Sequence, residues 1–152
     1  MLGVEIKKNF LDQKSFKDLK ELITKSEFPW YQRDSMIPGT TNNLGYFTHS
    51  FYNNLKVNCN TYYKYILPIL DKLNSKAVFF KDKHCDFHTD NNFNCKTAIL
   101  YLNTCDGGTE FTMDNKIKFI KAEENKIVIF NSNIQHRATT STNCNFRYIV
   151  NF

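Results

Sequence analysis

Residues 97–131 read TAILYLNTCDGGTEFTMDNKIKFIKAEENKIVIFN, and this stretch decides the fold class. It alternates short runs of apolar, β-branched and aromatic residues with groups of turn-forming residues. The runs predict four strands, at residues 97–103, 110–113, 116–121 and 126–131. The turns between them are Asp106-Gly107-Gly108, Asp114-Asn115 and Glu123-Glu124-Asn125, whose residue types favour chain reversal. Short strands in close succession are typical of a β-sandwich or barrel.

The flanking sequence completes one domain. Further strands are predicted at residues 77–81, 85–89 and 146–152. Helices are predicted at 15–25, with Ser15 as N-cap, and at 60–73, where Pro68 predicts a kink or a start. Residues 28–52 are predicted to form an ordered loop or short hairpin rich in aromatics. We therefore expect an α+β, mainly β domain, in which residues 1–75 supply helical support and a substrate-side loop, and residues 76–152 form the core.

Composition excludes several classes of protein. The chain has 152 residues, enough for one domain and not two. Its apolar runs are far shorter than the roughly 20 residues of a membrane span, so we expect no membrane segment. The five cysteines form no CxxC pair and no secretory signal is visible, which favours a reducing, cytoplasmic location. The net charge of +5 comes with scattered lysines and does not predict a nucleic-acid reader.

Metal-ligating residue types occur close to the predicted strands. His88 and Asp90 are two residues apart, so on a strand both side chains project to one face and can hold one metal ion. His136 follows just beyond the apolar strand 126–131. Two histidines and a carboxylate are the facial triad of non-haem Fe(II) oxygenases, which leaves three coordination positions open. Arg147 lies on the last predicted strand, where it can form a bidentate pair with a ligand carboxylate.

A second pair of residues competes for the metal site. His84 and Asp86 have the same spacing as His88 and Asp90 and would face the same way on a regular strand. We prefer His88 and Asp90 because they lie at the strand end, from which a loop leads into the strand 97–103. His84 and Asp86 would then support the ligands or line the entrance, and whether they contribute to the metal site stays open.

Five segments in order resemble a known family. They are HTD (88–90), TAILYLN (97–103), GGTEF (107–111), IVIFNSNIQH (127–136) and NFRYIVNF (145–152). Together they resemble the core of the 2-oxoglutarate- and Fe(II)-dependent oxygenases. The prolyl 4-hydroxylase-like branch is nearest, including small forms found in phages and viruses, for which the location would be the host cytoplasm. The resemblance covers about half of the chain and implies a double-stranded β-helix, a cupin-like jelly roll, with N-terminal helices supporting one sheet.

The resemblance also implies roles for particular residues. His88, Asp90 and His136 would bind Fe(II). Arg147 would pair with the C5 carboxylate of 2-oxoglutarate, and Tyr101 would add a hydroxyl, although a strand tyrosine is also an ordinary core residue. With O2, the implied reaction hydroxylates a substrate while 2-oxoglutarate is oxidatively decarboxylated to succinate and CO2.

The substrate side is predicted from aromatic and basic residues. Trp30, Tyr31, Arg33 and Arg137 are candidates to line a groove, although Trp30 also fits core packing between helix and sheet. The branch suggests a peptidyl residue such as proline, with a small molecule as the alternative. We do not expect a nucleic-acid substrate, since that subclass has further arginines after the distal histidine. We expect a monomer or a weak oligomer.

The alternative function is a non-catalytic, metal-binding jelly-roll module that serves in interaction or structure. Such a module would bind a metal without turnover of 2-oxoglutarate. Arg147 separates the two hypotheses, because a simple binding module has no reason to keep an arginine opposite the triad.

Overall fold

The computed structural model describes residues 3–33, 46–53, 56–73 and 95–152. Its elements, in chain order, are β1 (Val4–Lys7), α1 (Gln13–Thr24), β2 (Tyr31–Arg33), β3 (Tyr46–Thr48), β4 (Tyr52–Asn53), β5 (Lys56–Val57), a π-helix (Tyr62–Ile66), α2 (Leu67–Lys72), β6 (Lys96–Tyr101), β7 (Gly108–Met113), β8 (Lys116–Lys121), β9 (Lys126–Asn131), β10 (His136–Ala138) and β11 (Ile149–Asn151). The strands predicted at 77–81 and 85–89 lie outside the described residues. Among the described helices, none is long and apolar enough to cross a membrane.

Two antiparallel sheets form the core. The four-stranded sheet has the order β1-β9-β6-β11, and the three-stranded sheet has the order β10-β7-β8. From β6 onward the chain passes back and forth between the sheets, with β6, β9 and β11 in one and β7, β8 and β10 in the other. This winding is that of a double-stranded β-helix. The mainly β, α+β fold with N-terminal helices is the predicted one.

Both faces of the central strands of the four-stranded sheet, β6 and β9, are largely buried. On β6, Ala98 and Leu100 face the helical layer, whereas Ile99 and Tyr101 face the three-stranded sheet. This alternation follows from the period of two along a strand. It explains why β6 and β9 contain continuous apolar runs in the sequence, since both faces of these two strands pack against other layers.

The first helix starts slightly earlier than predicted. It spans Gln13–Thr24 instead of residues 15–25, and its N-cap is Asp12, so the prediction of Ser15 as N-cap was wrong. The Asp12 carboxylate accepts a hydrogen bond from the backbone N–H of Ser15 at 2.9 Å, the contact that defines an N-cap. Hydrogen bonding to Ser15 also lowers the pKa of Asp12.

The second helical segment changes character next to Pro68. The π-helix runs into α2, and Pro68 lies in the first turn of α2. A proline is tolerated there because its missing N–H would have no partner within that turn. The predicted helix start near Pro68 is confirmed.

Several strand bounds differ from the prediction. Strands β8 and β9 have the predicted bounds, whereas β7 begins two residues early, at Gly108. The strand predicted at 146–152 is limited to Ile149–Asn151, because the N–H of Tyr148 donates to the Asn103 side chain at 2.9 Å instead of to a strand. Strand β1 was not predicted.

Candidate active site

Four polar side chains border the apolar core between the two sheets; three of them interact with each other, and the fourth, His136, packs against two phenylalanine rings of that core. They belong to Tyr101 at the end of β6, Thr109 on β7, His136 on β10 and Arg147 just before β11. Tyr101, Thr109 and His136 are almost completely buried. Their surroundings are apolar, and a polar group in such a place is costly unless it is hydrogen-bonded. This cluster is the candidate active site.

His136 is held in one orientation by its neighbours. It lies opposite Phe111 in the β10–β7 ladder, and its ring packs edge-on against Phe130 with centroids 4.6 Å apart. Its Nδ1–H donates to the carbonyl of Ile134 at 3.0 Å. With Nδ1 engaged in this way, Nε2 is the ring nitrogen that would bind a metal, because a metal-ligating histidine usually donates its other N–H to a carbonyl or carboxylate. The predicted role of His136 as a ligand is compatible with this geometry.

Tyr101 and Thr109 form a buried pair of hydroxyls. Tyr101 Oη and Thr109 Oγ1 are 2.7 Å apart, and both residues are at most 2% exposed. Burial raises the pKa of Tyr101, while its hydrogen bond to Thr109 and the charge of Arg147 oppose part of that rise. The phenol is therefore protonated at neutral pH and can donate a hydrogen bond.

Arg147 places a positive charge beside this pair. One guanidinium N–H donates to the carbonyl of Gly108. Burial lowers the pKa of Arg147, and interactions with Tyr101 and Cys105 act in the opposite direction. Within residues 95–152 and the other described segments, no carboxylate forms an ion pair with Arg147. A desolvated guanidinium next to a hydroxyl donor is a binding site for a carboxylate.

Gly108 allows β7 and β8 to approach each other closely. A Cβ at this position would lie 2.1 Å from the carbonyl oxygen of Ile120 and 2.9 Å from Cε2 of Phe119. The sequence predicted Gly107-Gly108 as a turn. The structure instead makes Gly108 the first residue of β7, where close backbone packing requires glycine.

Thr109 is the residue that the sequence analysis missed. The sequence feature that could have identified Thr109 is its position along β7. Because β7 begins at Gly108, Thr109 and Phe111 lie on the same inward face and Glu110 points outward. The predicted start at residue 110 left Thr109 in the turn and hid this pattern.

Most of the predicted metal site cannot be described. His88 and Asp90, and the alternative pair His84 and Asp86, lie outside the described residues. Among the residues that are described, no group of three or more His, Cys, Asp or Glu side chains is placed to hold a metal ion. The facial triad therefore stays a prediction.

Two substrate-side candidates, Trp30 and Tyr31, are consecutive residues with different surroundings. Trp30 is half-buried, and its ring packs 5.0 Å from that of Phe28 and 6.1 Å from that of Tyr148, measured between centroids. Tyr31 is 59% exposed on β2 and stacks against His49. Trp30 thus contributes to the core, whereas Tyr31 has a surface that a ligand can reach.

The two basic candidates lie in different places. Arg33 ends β2 and pairs with Tyr46 in the ladder, and its side chain is outside the described part. Arg137 follows His136 and therefore projects from the opposite face of β10. There its Nε–H donates to Glu110 at 2.6 Å. A substrate-binding role for either arginine stays a prediction.

Comparisons with known proteins give a family and a fold. A family model described as the 2OG-Fe(II) oxygenase superfamily matches residues 73–152, more than half of the chain. No curated protein sequence matches. The chain is similar to the solved structure of a Trichoplax adhaerens prolyl hydroxylase in complex with a hypoxia inducible factor oxygen degradation domain peptide fragment, with a TM-score of 0.59 and 16% identity, covering 98% of this chain and 81% of that one. A Pseudomonas putida prolyl-4-hydroxylase gives a TM-score of 0.48 and 14% identity, covering 91% and 85%.

Proposed function

Since the chain belongs to the 2OG-Fe(II) oxygenase superfamily, we propose that it is an Fe(II)- and 2-oxoglutarate-dependent dioxygenase of the prolyl 4-hydroxylase-like branch. The observation that carries this proposal is Arg147 beside the Tyr101 hydroxyl, without a carboxylate partner in the described part of the protein. A jelly-roll module that only binds a metal does not require such a pair.

The described residues fit the cofactors that the family uses. An imidazole whose Nδ1–H donates to a carbonyl suits Fe(II) as an Nε2 ligand, and a guanidinium with a phenol donor suits the distal carboxylate of 2-oxoglutarate. We propose that His136, with His88 and Asp90, holds Fe(II), and that Arg147 and Tyr101 hold the carboxylate.

The chain orients the cosubstrate and excludes water, while the bound metal and 2-oxoglutarate supply the oxidising power that hydroxylates a substrate with O2. Arg147 would hold the distal carboxylate of the cosubstrate and so restrict its orientation. His136 is 5% exposed and packs against Phe111 and Phe130, so water has little access to its ring.

We propose a peptidyl residue, such as proline, as the substrate. The support is the branch that the sequence resembles and the peptide bound to the similar Trichoplax adhaerens enzyme. The exposed ring of Tyr31 adds an aromatic surface suited to an extended peptide. A small-molecule substrate is the alternative.

The test is an anaerobic titration of the purified protein with Fe(II) and 2-oxoglutarate, followed by the weak visible charge-transfer band of the chelate. We expect a band in the parent protein, no band in His88→Ala, and a much higher 2-oxoglutarate requirement in Arg147→Ala. His49→Gln is the matched histidine control, because His49 packs against Phe28 and Phe51, which belong to the core on the helical side of the four-stranded sheet.

The variants also decide between the competing assignments. Loss of the band in His84→Ala, with His88→Ala intact, would transfer the metal-ligand role to His84. Absence of the band in the folded parent protein would contradict the proposal. Metal binding without 2-oxoglutarate would then favour the non-catalytic module.

A further inference from the structure

We infer that Thr109 is a positioning residue whose hydroxyl holds Tyr101 in the orientation that binds the cosubstrate carboxylate. This inference rests on the proposed function, because it needs a carboxylate beside Arg147. In this role Thr109 does not itself contact the ligand. It acts through the hydroxyl of Tyr101.

The burial of the pair supports this role. Thr109 is 2% exposed and Tyr101 is fully buried, so neither hydroxyl has water as a ready alternative partner before the carboxylate binds. Among the described residues, Thr109 is the single hydrogen-bond partner of Tyr101 Oη, at 2.7 Å. The phenol ring is fixed by packing, but its O–H bond can still rotate, and Thr109 determines where its proton points.

Thr109 can take part in its hydrogen bond with Tyr101 either as the acceptor or as the donor. Each hydroxyl has one proton, so in the protein without ligand either oxygen can be the donor between Tyr101 and Thr109. When a carboxylate accepts the phenol proton, Thr109 must donate to Tyr101 Oη to keep the contact. A phenol that accepts one hydrogen bond is a stronger donor in the next, because hydrogen bonds in a chain polarise each other.

The strand geometry ties this pair to Arg147. Gly108, whose carbonyl accepts from the guanidinium, is the residue directly before Thr109. The backbone of β7 therefore fixes Arg147 through Gly108 and Tyr101 through Thr109. The first two residues of β7 thus set the position of Arg147 relative to Tyr101, the two residues that would bind the carboxylate.

The first measurement is the affinity of 2-oxoglutarate for the Mn(II)-loaded protein by calorimetry. Thr109→Val keeps the shape of the side chain and removes its hydroxyl. We expect Kd to rise about threefold to tenfold, the usual effect of one net hydrogen bond. Thr109→Ser restores the hydroxyl and should return Kd to within about twofold of the parent value. Circular dichroism and thermal unfolding establish that both variants are folded, and Thr109→Ala serves as the hydroxyl-free variant if Thr109→Val is not folded.

A double-mutant cycle separates positioning from direct contact. If Thr109 acts through Tyr101, Thr109→Val should have no further effect on Kd in a Tyr101→Phe background. Full additivity of the two substitutions would show that Thr109 contacts the ligand itself, which overturns the inference. An unchanged Kd in Thr109→Val alone would overturn it as well.

Failure of the proposed function gives a different result. If the folded, Mn(II)-loaded parent protein binds no 2-oxoglutarate, both the proposed function and the role of Thr109 are wrong. If the parent protein binds and Thr109→Val is unaffected or additive, only the role of Thr109 is wrong.

Discussion

Arg147 is a charged side chain in a partly buried position, and among the residues that the structure describes no ion pair offsets its desolvation. A charge of this kind contributes little to stability. Arg147→Met keeps most of the apolar stem and removes the charge. We expect the free energy of unfolding in urea to stay within about 1 kcal/mol of the parent value, or to increase.

The same substitution should weaken 2-oxoglutarate binding to the Mn(II)-loaded protein about 100-fold, since a charge-assisted carboxylate pair is lost. Arg147→Lys is the control that keeps the charge without the bidentate geometry. A large loss of stability in Arg147→Met, with unchanged binding, would make Arg147 a structural residue instead.

Asp106 fixes the loop that precedes Arg147. Its carboxylate accepts hydrogen bonds from the backbone N–H of Thr142 at 2.8 Å and from the hydroxyls of Thr142 and Ser141. These bonds, the one from the Thr142 hydroxyl first, hold the pKa of Asp106 well below its usual range. A lowered pKa means that the folded state favours the ionised form. The resulting stabilisation is complete above about pH 4, the ordinary aspartate pKa, and is lost as the pH falls from there through the folded-state value.

We therefore expect Asp106→Ala to accelerate amide hydrogen exchange in residues 139–143 at neutral pH. After correction for intrinsic exchange, the difference from the parent protein should shrink as the pH is lowered below 4. A difference that is independent of pH would mean that the carboxylate charge does not hold this loop.

At the scale of elements, Asn125 joins the β8–β9 turn to the chain that precedes α1. Its side chain accepts from the N–H of Leu11 at 2.9 Å and donates to the carbonyl of Leu11 at 2.8 Å. Asn125 is buried, with φ at 56°, in the left-handed region that asparagine tolerates. Asn125→Ala should lower the free energy of unfolding by about 2 to 4 kcal/mol, because it leaves buried backbone groups without partners and strains the turn.

Asn125→Gly separates these two causes. Glycine also removes the hydrogen bonds but accepts the positive φ, so it should be about 1 kcal/mol more stable than the alanine variant. Equal stability of the two variants in urea unfolding would show that backbone strain plays no part.

The sequence predicted some elements with their bounds and missed others. The difference follows from burial, because a buried strand has an apolar pattern in the sequence and an exposed strand does not. Strand β9 is an apolar run bounded by turns, and both its faces pack against other layers, so its sequence signal is strong. Strand β1 has one half-buried residue and three exposed ones, which leaves no pattern to detect. The N-cap at Asp12 was missed because Ser15 and Asp12 are both good capping residues, and only the backbone hydrogen bond distinguishes them.

Residue type alone was enough to select some candidate site residues from the sequence. Other site residues could be selected only with knowledge of where a strand begins. His136 and Arg147 stood out because their residue types have few other uses beside apolar strands. Thr109 could not be found, because its inward direction depends on where β7 begins. That start depends on the contact of Gly108 with the backbone of Ile120, a long-range feature that no local pattern encodes.

At the scale of the whole molecule, the four-stranded sheet separates two apolar cores, which we expect to differ in their effect on metal binding. One core lies against the helices and the other lies between the sheets, around the candidate site. Ile127 faces the helices and Phe130 faces the site, and both are fully buried. Ile127→Val and Phe130→Leu should each lower the free energy of unfolding by about 1 kcal/mol, since both reduce packing without introducing polarity.

These two substitutions should differ in their effect on metal binding. The Phe130 ring packs 4.6 Å from that of His136, so a leucine there loosens the orientation of the predicted ligand. We expect Mn(II) affinity to fall about tenfold in Phe130→Leu, as for other residues that support a metal ligand, and to stay unchanged in Ile127→Val. Equal effects of the two variants on Mn(II) affinity would mean that metal binding follows global stability, and that the core between the sheets has no separate role in holding His136.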